Sequence, residues 1–216
     1  MDGKRWAAGM QIQRSCMLTV SIKTFPREPL MPLSTPTIAR QPQHIRRVHF
    51  HSFLRDDGLW DIEGELIDTK AIDMPRVNRP GIRKAGDPIH HMLIRATINT
   101  ELVVQAIEAS MEAHPLGGCP AALSSMQKMV GCSMARGWRK SIEANLGGVV
   151  GCTHMRELLQ NMATAAFQSI VGAFEAEPGT PPRFLGQCKG WDFNGPDVAV
   201  YFPQFVGYVK PEKTSG

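Results

Sequence analysis

The sequence predicts an α+β fold, an antiparallel sheet with three helices packed mainly on one face. Three observations carry this. Four strand-like segments come before three helical ones, a segregated order unlike the alternation of a parallel sheet. Asp56-Asp57-Gly58 parts two runs of strand-forming residues, as hairpin turns do. From Met155 the apolar residues Leu158, Leu159, Met162, Ala165, Ala166, Ile170 and Val171 recur at the spacing of a helix with one buried face.

Residues 1–44 contain Pro26, Pro29, Pro32, Pro36 and Pro42 with little periodicity, and read as a mobile leader. A single domain is expected over 45–210. Its first strands, Val48–Arg55 and Leu59–Asp68, leave the register open. A two-residue Asp57-Gly58 turn sets His51 opposite Gly64. A three-residue loop sets His51 opposite Glu63 and His49 opposite Glu65. Residues 70–88 are rich in Pro, Gly and charge and read as a long loop. The next pair, His90–Asn99 and Glu101–His114, turns at Asn99-Thr100, and His90 shares its face with Met92, Ile94, Ala96 and Ile98. Cys119-Pro120 opens a short helix to about Val130, with proline at a favoured first-turn position. A second helix runs from Trp138 to Leu146 and stops at Gly147-Gly148. The long helix spans about 154–175 with Thr153 as its N-cap. Asp197–Phe202 reads as a last short strand.

Composition narrows the function. The chain has 216 residues, 43% of them hydrophobic, enough for a sizeable core, and a net charge of +4. That charge is unevenly placed. Of the 24 Lys and Arg and 20 Asp and Glu, residues 1–47 hold eight and two, leaving 16 and 18 for the rest. The domain is slightly acidic, so nucleic acid is not its expected partner. No apolar run approaches the ~20 residues that span a bilayer, and no apolar core of a signal peptide follows the early Lys and Arg. Five cysteines, an odd number without framework spacing, fit free or metal-bound thiols in a reducing cytoplasm. There is no phosphate-binding glycine loop, nucleophile elbow or dinucleotide fingerprint.

The chemistry concentrates at Gly151-Cys152-Thr153-His154. A thiol and an imidazole at the positive end of a helix dipole suit either metal ligation or nucleophilic chemistry. His49 and His51, on one strand face, and His90, an imidazole among apolar neighbours, are the other proton-transfer candidates. A structural reading stands beside each: buried cysteines at helix starts, and histidines hydrogen-bonded to Glu63, Glu65 or backbone.

The order Arg47-Val48-His49-Phe50-His51, Arg55-Asp56-Asp57-Gly58-Leu59-Trp60-Asp61-Ile62-Glu63-Gly64, Pro88-Ile89-His90, Cys119-Pro120, Gly137-Trp138, Leu146-Gly147-Gly148 and Gly151-Cys152-Thr153-His154 resembles the bacterial family catalogued as domain of unknown function 2889. The resemblance covers roughly 45–205 and implies a role in bacterial catabolism. Gly86-Asp87, Gly118-Cys119 at a helix start and Cys152 before an Ala-rich helix are similar to the iron–sulfur scaffold proteins, the NifU N-terminal and IscU-like group. That likeness implies the ligands Asp87, Cys119, Cys152 and His154. The scaffold's first cysteine falls near Ala85, and its adjacent His-Cys becomes Cys152-Thr153-His154. Zinc or iron suits such a set; a site without metal is equally open.

Two functions follow as expectations. One is a small-molecule enzyme, a lyase or hydrolase, using His154, Cys152, His90, His49 and His51, with metal as an option. The other is a non-catalytic metal carrier or scaffold acting on a partner protein. A small-molecule substrate, no nucleic acid and no membrane are expected, and the chain is compatible with a homo-oligomer.

Overall fold

The computed structural model describes residues 33–77, 79–170 and 179–210. Most of the predicted leader lies outside these residues, and 33–43 carry no helix or strand. Within the compact unit from Gln41 onward, the four long strands are β1 (His44–Leu54), β2 (Trp60–Lys70), β5 (Pro88–Ile98) and β6 (Val104–Ala113). They form one antiparallel sheet in the order β1-β2-β5-β6. The segment read as a loop holds a two-residue hairpin, β3 (Met74–Pro75) with β4 (Ile82–Arg83).

The first turn is the three-residue loop. The Arg55 N–H donates to the Leu59 carbonyl, and Gly58 adopts φ +81°, which glycine reaches without a Cβ penalty. The register then places His49 opposite Glu65 and His51 opposite Glu63. The second turn is longer than expected. Asn99 Oδ1 accepts from the N–H groups of Glu101 and Val103, and Leu102 turns into the core at φ +64°. Burying that leucine sets the start of β6 at Val104.

Alternation gives the sheet two unlike faces. Ile62, Leu66, Met92, Ile94, Ala96 and Ile98 point inward and are buried. The helices cover this face: a 3-10 helix at Cys119–Met129, α1 (Trp138–Leu146) and α2 (Thr153–Ile170). The 18 residues of α2 extend about 27 Å at ~1.5 Å each. It buries Met155, Leu158, Leu159, Met162, Ala166 and Ile170, while the predicted turn at 171–175 lies outside the described residues. A Cβ on Gly64 would stand 2.9 Å from Met162 and 3.0 Å from Phe50, so the absent side chain lets α2 cross β2 closely. Trp138 Nε1–H donates to the Leu159 carbonyl and ties α1 to α2.

Two expectations are corrected. Asp197–Phe202 is not a strand: Pro196–Tyr201 is a short helix, α3, with Pro at its start and Asp197 in its first turn. Its Val198 packs with Leu185, Phe193 and Phe205 in a second, aromatic-rich cluster. Thr153 is not the N-cap either. It is the first helical residue, and the Cys152 carbonyl accepts the Arg156 N–H, so Cys152 holds the cap position.

Candidate functional site

A polar constellation sits at the end of the sheet where β1 and β5 begin and β2 ends. Arg46 pairs with Asp68, and Asp68 with His90, so three adjacent strands contribute one rung on the inner face. A bulge between Asp68 and Thr69 follows at once. From above, the first two turns of α2 add His154 and Glu157. The rung ends the row of Ile62 and Leu66, so its polar groups lie against the margin of the core.

Asp68 is the hub and is almost fully buried, at 2% exposure. A carboxylate can be kept ionised there only if its oxygens are answered. Arg46 donates from Nε to Oδ1 at 2.8 Å and from Nη2 to Oδ2 at 2.9 Å. His90 Nδ1 lies 3.0 Å from Oδ2, and His44 Nε2 lies 3.1 Å from Oδ1. Glu157 takes the remaining arm of Arg46. Burial pushes the Asp68 pKa up, but the hydrogen bond and charge of Arg46, then His90 and His44, outweigh it and hold the group below its ordinary value.

His90 and His154 are held below the ordinary imidazole value. Burial lowers the pKa of His90 first and the neighbouring His154 lowers it further, against the pull of Asp68. For His154 burial again leads and Arg46 adds to it, against Asp68 and Glu157. The two rings stack with centroids 3.7 Å apart. Because the ionised Asp68 can only accept, His90 Nδ1 carries the proton and its Nε2 keeps the lone pair. His154 Nε2 is 3.7 Å from Asp68 Oδ2, and its Nδ1 is 3.8 Å from Cys152 Sγ. Cys152, His154 and Asp68 therefore stand in the order thiol, imidazole, carboxylate.

The structure brings His90, His154 and Cys152 together and leaves the other candidates elsewhere. His49 and His51 lie on the opposite, outer face, where they line a groove of about 320 Å³ with Glu63, Glu65, Arg95 and Glu108. There Glu65 pairs with His91 at 2.7 Å and Glu63 with Arg95 at 2.8 Å. Asp87 is exposed in the turn after β4 and accepts the Lys84 N–H. Cys119 is half-buried at the start of the 3-10 helix. Among the described residues the group able to offer three converging metal-ligand atoms is Asp68, His90 and His154, with all three atoms within 4.8 Å of one another. Asp87, Cys119, Cys152 and His154 do not form such a group among the described residues.

Asp68, Arg46 and His44 are the site residues that sequence reasoning missed. A signal existed: the register that sets His49 opposite Glu65 also sets Arg46 opposite Asp68, three rungs on.

The profile of the family described as "Protein of unknown function (DUF2889)" matches residues 44–168. The chain belongs to that family. The matched span contains all of β1, β2, β5 and β6 and nearly all of α2, hence every residue of the Asp68 constellation. No curated protein and no solved structure matches the chain, so the iron–sulfur scaffold likeness gains no support. No described helix is long and apolar enough to cross a membrane.

Proposed function

We propose that this chain is a small-molecule enzyme of the lyase or hydrolase type, working by proton transfer and thiol chemistry at Asp68, His90, His154 and Cys152. One observation carries the reading: a buried, ionised Asp68 holds one neutral imidazole by hydrogen bond and faces a second that contacts a thiol. In this scheme His90 Nε2 is the general base, its tautomer fixed through Nδ1 by Asp68. Cys152, with its sulfur at the cap of α2, is a nucleophile whose proton passes to His154 Nδ1. Arg46 acts through Asp68 as a positioning residue. Loss of such an activity has a direct readout. Untargeted metabolomics of a strain lacking the chain should show one accumulating compound, consumed by the purified protein but not by His90→Asn or Cys152→Ser variants. Wild-type turnover by both variants removes the reading.

A metal-binding carrier is the second reading, favoured by the convergence of the Asp68, His90 and His154 ligand atoms. Arg46 weighs against it, since its guanidinium meets both Asp68 oxygens and opposes a divalent cation there. Elemental analysis of the purified chain followed by chelator challenge separates the two. Stoichiometric zinc or iron, released without unfolding and passed to an acceptor, supports the carrier.

A further inference from the structure

Among the described residues, four arginines of this fold are answered by carboxylates. Arg46 meets Asp68 and Glu157, Arg55 meets Asp57 and Asp61, Arg95 meets Glu63 and Glu108, and Arg156 meets Glu143. The β3–β4 hairpin departs from this. It carries Arg76, Arg79 and Arg83 beside two acids, Asp73 and Asp87, and both acids are already engaged. Asp73 accepts from the Lys84 ammonium at 2.8 Å and from the Ala85 N–H at 2.8 Å. Asp87 accepts the Lys84 N–H at 3.2 Å. Among the described residues none of the three arginines has a carboxylate within ion-pair distance.

The three arginines line one cavity of about 320 Å³, closed by Pro88, Glu112 and His114 among others. Arg76 and Arg83 are half-buried, and no carboxylate among the described residues pairs with either. Glu112 lies in the wall, its Oε1 accepting the Ser110 hydroxyl at 2.9 Å. Three cations against that one anion leave an excess of two positive charges, which a dianion would balance. Guanidinium forks match the oxygens of phosphate and carboxylate groups. The hairpin is also anchored. Arg76 N–H donates to the Gly81 carbonyl, and Gly86 N–H donates to the Lys70 carbonyl, two residues beyond Asp68. Pro88 stands two residues before His90 in β5. Cavity and constellation thus share one end of the sheet.

We propose that this cavity binds the phosphate or carboxylate groups of a dianionic small molecule. That this molecule is the substrate rests on the acid–base reading above, whereas the anion binding does not. The test is calorimetric titration of the full chain with inorganic phosphate and, separately, with succinate, at constant ionic strength. Saturable binding of either anion is expected, weakened about tenfold or more in the Arg76→Gln/Arg83→Gln double variant, the effect of losing charge-assisted donors. The preferred anion names the source. Binding should persist in His90→Asn, which removes the proposed base and leaves the arginines. No binding of either anion, or equal binding by wild type and the double variant, overturns the proposal and leaves the acid–base reading standing. Arginine-dependent binding together with undiminished turnover by both His90→Asn and Cys152→Ser keeps the anion site and removes the catalytic reading. Arginine-dependent binding of RNA or of phosphatidylserine vesicles, without binding of either small anion, also overturns it.

Discussion

The two faces of the sheet carry similar residues to different ends. On the inner face Arg46, Asp68 and His90 form a rung sealed by α2, and Asp68 is held almost out of water. On the outer face His51, Glu63, Arg95 and Glu108 form a comparable rung in an open groove. The Asp68 carboxyl and the His90 and His154 imidazoles are pushed below their ordinary titration. The outer pairs are half-exposed, with Arg95 at 51% side-chain exposure, and water competes for each contact. Coverage by a helix, rather than residue type, turns a charged rung into a candidate site.

The sharpest way to break this contrast is Asp68→Ala. It leaves Arg46 without its main partner and His90 without its acceptor, and should cost on the order of 3 kcal/mol in urea denaturation, the scale for breaking a buried pair. Next comes Gly64→Ala, which pushes α2 off the inner face against Met162, Phe50 and Leu158. Overpacking there should cost about 1–2 kcal/mol, toward the low end because the nearest atom is the flexible tip of Met162. It should also loosen the stack of His154 on His90.

Acid should act on the inner rung in a defined direction. The folded pKa values of His90 and His154 lie below the ordinary imidazole value of 6.5, so between the two values the unfolded chain binds more protons. Their contribution to stability is complete above about 6.5 and is lost as pH falls toward the folded values. Asp68, also lowered, loses its contribution only further down, below its ordinary value of 3.8. Melting temperatures measured from pH 7.5 to 5 should therefore fall, and less steeply in a His90→Asn/His154→Asn variant. A smaller effect belongs to the outer face. Arg95→Ala should change stability by under about 1 kcal/mol, and added salt should shrink even that.

Much of this contrast was readable from the chain, though not all from the same signal. Alternation in β2 and β5 assigned the inner row, and the apolar spacing of α2 found what covers it. The turn at Asp56-Asp57-Gly58 offered two registers, and the αL glycine of the three-residue loop selects between them. That choice places Arg46 on Asp68, but His90 reaches the same rung only through a second register, across the long excursion of residues 70–88. No local pattern fixes that pairing, so His90 was legible as an imidazole in need of a partner while the partner was not. The arginine hairpin was hidden for the same reason: its two-residue strands are too short to show a period. Asp197–Phe202 alternates like a strand, yet Gly195-Pro196-Asp197 supplies a helix start and Val198 needs only one buried turn.

Burial and the neighbouring His154 keep His90 neutral against the pull of Asp68, which fixes the proton on Nδ1 and leaves a free lone pair on Nε2. Long-range proton–nitrogen NMR correlation of ¹⁵N-histidine-labelled protein at pH 7, assigned with His90→Asn, reads both nitrogens directly. The structure predicts a protonated Nδ1 and a bare Nε2 for His90, with a titration midpoint below the ordinary 6.5. A His90 protonated on Nε2 alone, or on both nitrogens at pH 7, would contradict it.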